Sequence, residues 1–143
     1  AIENDKKTAQ ICKLNLMDVS QNSEIPIQIQ VLCQNVITFL KKGPSNKKII
    51  FNQNIPKKDP ELDFVFLDPP YESNIYAIAQ EYLLTQKWVK RSSTLICECS
   101  SKSLPEIHNG WKLQKTKVYG TTSLIFLTPN QALNYFDDTD SMH

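Results

Sequence analysis

The chain has few of the residues that mark several common sites and architectures. Its 143 residues include only three glycines, none at the G-x-G spacing of a phosphate-binding turn, and one arginine among sixteen basic residues. No apolar run approaches the roughly 20 residues that a membrane-spanning helix needs. Four cysteines without a C-x-x-C pair and two isolated histidines offer no zinc site. These absences argue against a membrane protein, a disulfide scaffold and a metal centre.

Charge and cysteine usage indicate the cellular setting more than the activity. Sixteen basic and fifteen acidic residues give a net charge of +1, and three of the acids stand in the polar tail of residues 130–143. Lysine pairs recur along the chain, and they are consistent with a solvated surface or with point-charge contacts to phosphates. The four cysteines are expected to be buried free thiols, which favours a reducing, cytoplasmic compartment. They are Cys12, Cys33, Cys97 and Cys99.

Short apolar runs alternate with amphipathic stretches, which is typical of an α/β fold with a mainly parallel sheet. The strand at 62–67 is apolar on both faces apart from Asp63, so we expect it in the centre of the sheet, covered by helices on both sides. The last two strands, joined at Gly120, should form an antiparallel pair at the sheet edge. Strands are predicted over 1–2, 26–33, 62–67, 94–99, 111–119 and 121–127, helices over 6–17, 36–41 and 74–86, and a loop or helix extension over 43–61.

The clearest chemistry lies in the four residues Asp68-Pro69-Pro70-Tyr71, which directly follow the apolar strand. Parallel α/β sheets bind ligands at the carboxyl ends of their strands, where this aspartate is expected. The two prolines fix the backbone and remove N–H donors, so the turn presents carbonyl oxygens without competing donors. A carboxylate, a rigid carbonyl and an aromatic ring together suit recognition of an exocyclic amine on a planar base. The structural alternative is a proline turn whose aspartate caps the next helix.

The segment LDFVFLDPPY (62–71) resembles the catalytic motif of class I S-adenosylmethionine-dependent methyltransferases that modify the amino groups of nucleobases. More narrowly, the chain up to about residue 128 resembles the RsmD family, bacterial enzymes that methylate the N2 amine of a guanine in small-subunit (16S) ribosomal RNA. The resemblance implies a Rossmann-like class I methyltransferase sheet. It also implies that Asp68 and the Pro69 carbonyl hold the amine and that Tyr71 stacks on a base flipped from its helix.

The same resemblance assigns residues to the cofactor, S-adenosyl-L-methionine. Glu3 and Asn4 match the end of the family's second strand, where an acid binds the ribose hydroxyls. Asn35 and Val36 match the third motif, whose polar side chain meets the adenine amino group, and Asp68 is assigned to both cofactor and substrate. Many relatives have aspartate in the third motif, whereas Asn35 keeps only an uncharged acceptor. Taken alone, helix capping explains Glu3 and Asn35 almost as well.

The family's glycine-rich first motif has no counterpart here, so we expect the chain to be part of a longer protein. Residues 1–129 are expected to form a partial methyltransferase domain with its first strand missing, followed by an acidic tail over 130–143. The expected partner is ribosomal RNA or the small ribosomal subunit, contacted in part by lysines of segment 41–58. No membrane and no metal are expected, and a monomer is favoured. Two alternatives stay open: methylation of adenine N6 or cytosine N4 in DNA, and a catalytically silent binding module with the same fold.

Overall fold

The structure is a computed structural model in which the chain divides into two compact units, Ala1–Phe39 and Leu40–His143. Tyr71 and most of the predicted loop at 43–61 lie outside the described residues. In the described part of the chain, no helix is long and apolar enough to cross a membrane. The described residues are 1–44, 61–70, 74–133 and 135–136.

The first unit contains a short parallel sheet of two strands and one long helix. Strand β1 (Ile2–Glu3) is followed by helix α1 (Lys6–Gln21), strand β2 (Leu32–Cys33) and helix α2 (Val36–Lys41), whose last two residues belong to the second unit. β1 and β2 pair in parallel, as the α/β pattern predicts. The strand expected over 26–33 is therefore wrong in extent, because β1 offers only two residues for pairing.

Helix α1 begins where the sequence predicts and ends later. Asp5 caps its first turn by accepting hydrogen bonds from the Thr8 backbone N–H (2.7 Å) and hydroxyl (2.8 Å). The helix runs to Gln21, past the predicted end at Met17, because no glycine or proline interrupts it. Ala9 is buried, which agrees with its place on the predicted inner face.

The second unit is a four-stranded sheet with one helix, and its strand order is β3-β4-β6-β5. β3 and β4 are parallel, and β6 pairs antiparallel with both β4 and β5. This arrangement confirms the mixed sheet with an antiparallel edge pair. The elements are β3 (Leu62–Leu67), α3 (Ile75–Thr85), β4 (Val89–Ser100), β5 (Trp111–Tyr119) and β6 (Thr122–Pro129).

One face of this sheet forms the core with α3. Alternate residues of β6, and of β4 from Ser93 onward, are buried, and the residues between them are half-buried, so the sheet has one covered face and one more open face. The covered face carries Leu95, Cys97, Cys99, Ile125 and Leu127, each no more than 1% exposed.

The expectation that β3 lies in the centre of the sheet is wrong for the described part of the chain. β3 occupies one end of the four-stranded sheet and pairs with β4 there. As a result, Phe64 is 74% exposed and Phe66 is 59% exposed on the open face. β3 is therefore apolar on both faces, but only one of its faces is packed against other described residues.

Two further expectations about burial are corrected. Cys97 and Cys99 are buried free thiols as predicted, but Cys33 is exposed, since it ends the two-residue strand β2, and Cys12 is only half-buried. Burial raises the pKa of the Cys97 thiol to about 12.

The buried face of α3 also differs from the predicted one, which consisted of Ile75, Ile78, Ala79, Tyr82 and Leu83. Of these, Ala79 and Leu83 are buried and the others are half-buried. The helix is apolar on most sides, so more than one face satisfies helical spacing. The buried residues are Tyr76, Ala79, Gln80, Leu83 and Leu84.

Candidate active site

Glu3 and Asn4 lie at the carboxyl end of β1, at the junction with α1. One Glu3 carboxylate oxygen, Oε1, accepts a hydrogen bond from the Asp5 N–H at 3.0 Å. That bond holds the acid at the strand end. Asp5 itself caps the helix, and the bond from the Thr8 backbone N–H lowers its pKa. Capping of α1 is thus performed by Asp5, which leaves the second oxygen of Glu3 available as an acceptor.

Asn35 and Val36 follow β2 at the same edge of the two-stranded sheet. The Asn35 Oδ1 accepts the Thr38 N–H at 2.9 Å, so this side chain caps α2. The Gln34 N–H donates to the Glu3 carbonyl at 3.0 Å, which ties the two strand ends together. The parallel pairing therefore brings Glu3, Asn4, Asn35 and Val36 to one edge of the first unit, as expected for neighbouring parallel strands.

Asp68 and Pro69 lie directly beyond the last residue of β3, at the carboxyl end of that strand. Asp68 is exposed and Pro69 is half-buried, while the preceding Leu67 is buried in the sheet. The backbone is therefore anchored immediately before the aspartate, and the aspartate itself is open to solvent. The described structure places these two residues in the second unit, whereas the predicted cofactor residues of β1 and β2 belong to the first.

Tyr76 fixes the helix that follows this turn. Its hydroxyl donates a hydrogen bond of 2.5 Å to the Glu98 carbonyl on β4, the strand next to β3. Since Tyr76 is in the first turn of α3, the bond secures the start of the helix near the carboxyl end of the sheet. This role of Tyr76 was not predicted from the sequence. The only sequence feature that points to it is that Tyr76 stands next to Ile75, the first residue of the predicted inner face.

Gln80 is the second residue whose role the sequence analysis missed. It is 0% exposed in the middle of α3. Its Nε2 donates to the Glu106 carbonyl at 3.1 Å, and its Oε1 accepts the His108 N–H at 2.9 Å. The Trp111 indole N–H donates to the Gln80 carbonyl at 2.9 Å. A glutamine among the apolar residues of a helix was the available signal, because buried amides need partners.

Metal chemistry has no support in the described part of the chain. No group of three or more histidine, cysteine, aspartate or glutamate side chains within 1–44, 61–70, 74–133 and 135–136 is arranged to hold a metal ion. Each unit carries one carboxylate and neighbouring carbonyl oxygens at a strand end, Glu3 in the first unit and Asp68 in the second. Such acceptors suit hydroxyl groups and amines as ligands.

Comparison with known proteins gives one family and several relatives. The family described as conserved hypothetical protein 95 matches residues 1–128. The ribosomal RNA small subunit methyltransferase D of Haemophilus influenzae is 32% identical over 123 residues, which cover 85% of this chain and 55% of the relative. The enzyme of that name from Buchnera aphidicola is 25% identical over 117 residues, 82% of this chain and 51% of the relative. This chain thus spans about half the length of the curated relatives it matches.

Solved structures share the fold of this chain. A crystal structure from Haemophilus influenzae, described as a methylase, aligns with a TM-score of 0.64 and 29% identity over 90% of this chain and 70% of that one. A Streptococcus pyogenes structure described as a conserved hypothetical protein has a TM-score of 0.63 at 20% identity, over 90% of this chain and 69% of that one. The fold predicted from the sequence is confirmed, and so is the family that the sequence motifs resemble.

Proposed function

Because this chain belongs to the conserved hypothetical protein 95 family, we propose that its parent protein transfers a methyl group from S-adenosylmethionine to ribosomal RNA. The finer proposal is that the target is the exocyclic N2 amine of a guanine in the small-subunit RNA. The observation that carries it is the exposed Asp68, followed by a half-buried Pro69 and anchored by a buried Leu67 at the carboxyl end of a parallel strand.

The residues at the edge of the first unit fit the proposed cofactor. Glu3 keeps a carboxylate oxygen that can accept hydrogen bonds from vicinal ribose hydroxyls, since only Oε1 is engaged by Asp5. Asn35 uses its carbonyl oxygen to cap α2, yet an amide oxygen has two lone pairs and its NH₂ group supplies donors. When bound, S-adenosylmethionine supplies an electrophilic methyl group on its sulfonium centre.

The chemistry assigned to Asp68 and Pro69 addresses the weak nucleophilicity of a guanine amine. The nitrogen lone pair of N2 is delocalised into the ring, which holds the amine planar. Two acceptors, the Asp68 carboxylate and the Pro69 carbonyl, take the two amine hydrogens and favour a tetrahedral nitrogen with a free lone pair. The carboxylate can also accept the proton that the amine loses when the methyl group is transferred. Positioning and electrostatics account for most of the expected rate gain.

Tyr71 completes the motif in this proposal. Its structural position lies outside the described residues, so its role rests on the sequence. We propose that its ring stacks on the target base, an interaction worth about 1–3 kcal/mol per base. Pro69 and Pro70 would then hold the two acceptors rigidly against a base that stacking has already oriented.

The proposal is tested by substitution of Asp68 in the complete protein. Small-subunit RNA and small-subunit particles from cells lacking the gene serve as substrates, with methyl-labelled S-adenosylmethionine as donor. Asp68→Asn keeps the size of the side chain and removes the charge, and we expect methyl transfer to fall by about 10²–10³-fold or more. Cofactor affinity, measured by calorimetry, should change much less than the rate.

The matched control is Asp63→Asn on the same strand. Asp63 forms an ion pair with Lys90, and both side chains are substantially exposed, so its loss should leave stability and methyl transfer nearly unchanged. Retained methylation in Asp68→Asn contradicts the assignment. DNA is offered as a second substrate, and mass spectrometry of the nucleosides identifies the product. Methylated adenine N6 or cytosine N4 in DNA contradicts the guanine assignment, and no product on either nucleic acid from the unmodified protein favours the silent module.

A further inference from the structure

The open face of the second sheet carries a row of lysines. The register of β5 on β6 places Lys112, Lys115 and Lys117 on one face, opposite Thr128, Phe126 and Leu124. The register shifts between Leu113 and Lys115, so that Lys112 and Lys115 share a face although they are three residues apart. All three lysines are exposed, and we refer to Lys112, Lys115 and Lys117 as the lysine row.

Aromatic rings accompany the lysine row on the same face. The Lys115 ammonium group lies 4.6 Å from the centroid of the Phe126 ring on the adjacent strand. Tyr119 ends β5 on this face and is 58% exposed. Phe126 is half-buried, so Tyr119 is the ring open to a base. Positive side chains beside an exposed ring are the combination that single-stranded nucleic acids require, because phosphates meet the charges and bases stack on the ring.

The lysine row leads toward Asp68 across the sheet. Leu67, Cys97, Ile125 and Thr116 form one row of register partners through the four strands. Lys117 on β5 comes one residue further toward the same end, as Asp68 does after β3. Three interstrand steps of about 4.8 Å put the two backbone positions roughly 14 Å apart. Such a distance can be spanned by a short stretch of nucleotides.

Negative charge is scarce along this surface. The four strands contain two acids, and one of them, Asp63, is neutralised by its ion pair with Lys90. The other, Glu98, is half-buried and lies two strands away from Lys117 in the register. Within the described part of the chain, none of the three ammonium groups of the lysine row has an ion-pair partner. Their charge is therefore available to a polyanion.

We propose that the lysine row, with Tyr119 at its end, binds single-stranded RNA that continues from the nucleotide held at Asp68. This inference rests on the proposed function for the choice of RNA, and it assigns a binding surface that the catalytic motif does not include. Lysine ammonium groups contact the phosphates, and Tyr119 offers a stacking face at the end of the strand nearest Asp68. Such contacts are independent of base sequence and sensitive to salt.

Salt dependence of RNA binding tests the surface. The complete protein is titrated against a fluorescent single-stranded RNA of about ten nucleotides, a length within the range of known single-strand sites. In Lys115→Gln/Lys117→Gln, the slope of log K against log salt should fall by about 1.4, since each lost phosphate contact on a single strand removes about 0.7. Lys115→Arg/Lys117→Arg keeps the charges and should keep the slope.

The charge-matched control is Lys7→Gln/Lys13→Gln, which removes two exposed lysines from α1. Its slope should stay at the wild-type value. The proposed RNA-binding surface is refuted by an equal loss of salt slope in the two glutamine double variants, or by no loss in Lys115→Gln/Lys117→Gln. Methyl transfer by the unmodified protein is measured in parallel, so the two proposals fail separately. If the slope falls only in Lys115→Gln/Lys117→Gln and the unmodified protein transfers no methyl group, the RNA-binding surface is supported and the proposed function is refuted.

Discussion

Replacement of Gln80 by leucine tests how the loop before β5 is held. The side chain is fully buried in α3, and its amide bonds to the Glu106 carbonyl (3.1 Å) and the His108 N–H (2.9 Å). Leucine has a similar size but can replace neither bond. The variant therefore separates hydrogen bonding from packing.

The expected cost follows from those two bonds. A neutral hydrogen bond contributes about 0.5–1.5 kcal/mol net, and a buried group left without a partner costs about 1–3 kcal/mol. Glu106 is exposed and His108 is half-buried, so water can partly replace the amide. We therefore expect each lost bond to cost about 1 kcal/mol, the lower end of that range, so that Gln80→Leu lowers the free energy of unfolding by about 2 kcal/mol. For a chain of this length, that loss lowers the melting temperature by roughly 6–10 °C.

Thermal and urea unfolding followed by circular dichroism measure the effect. Gln114→Leu on β5 is the matched control, because Gln114 is exposed and bonds to the Thr128 hydroxyl at 2.8 Å. It should change stability by less than about 0.5 kcal/mol. Equal melting temperatures for Gln80→Leu and the unmodified protein would refute the claim that this amide organises the loop.

Gln80→Glu adds a second check through pH. A buried carboxyl has a raised pKa in the folded state, so the folded protein binds its proton more tightly than the unfolded chain. The stability of this variant should therefore be highest at acidic pH and decrease as pH rises above the ordinary glutamate range. A variant whose stability relative to the unmodified protein does not change with pH would place the side chain in water and contradict the described burial.

Other predictions concern close packing, thiol chemistry and capping. A Cβ on Gly110 would overlap Leu84, so Gly110→Ala should cost about 1–3 kcal/mol in urea unfolding, and unchanged stability would contradict this contact. Iodoacetamide at pH 8 should alkylate the exposed Cys33 well before the buried Cys97, and mass spectrometry of the peptides would reveal the reverse order if it occurred. Because burial raises the pKa of Cys97 from 9.0 to about 12, its contribution to stability should be complete below pH 9 and decline above it, a slope that Cys97→Ala should reduce. The pKa of Asp5 is lowered by its cap bonds, so the stability it contributes to α1 should be lost as pH falls below about 4, and Asp5→Asn should lack this dependence in circular dichroism.

Local patterns predicted the bounds of elements that differ sharply in sequence from the residues flanking them. β3 at 62–67, α2 at 36–41 and β5 at 111–119 have the predicted bounds. Each of these segments is set off by proline, glycine or polar residues, which act within a few residues of chain. The antiparallel edge pair was predictable for the same reason, since only a tight turn at Gly120, with φ 61°, joins its strands.

Patterns failed where several arrangements satisfied the same spacing. α3 has apolar residues on most sides, and its orientation depends on partners far away in sequence: Tyr76 bonds to Glu98, and Gln80 bonds to the loop at Glu106 and His108. Periodicity cannot weigh such contacts. The sequence of β3 likewise did not predict that Phe64 and Phe66 are exposed, because an apolar strand has the same pattern whether one face or both faces are covered.

The sequence by itself determined the family and predicted the chemistry proposed for Asp68 and Pro69, because a motif of consecutive residues carries its geometry in its own backbone and needs no distant partner. Only the tertiary structure decided which side of α3 is buried and which residues of β5 share a face of the sheet with Tyr119. Those choices depend on strand register and on hydrogen bonds between residues 20 or more positions apart, where no local pattern in the chain favours one pairing over another.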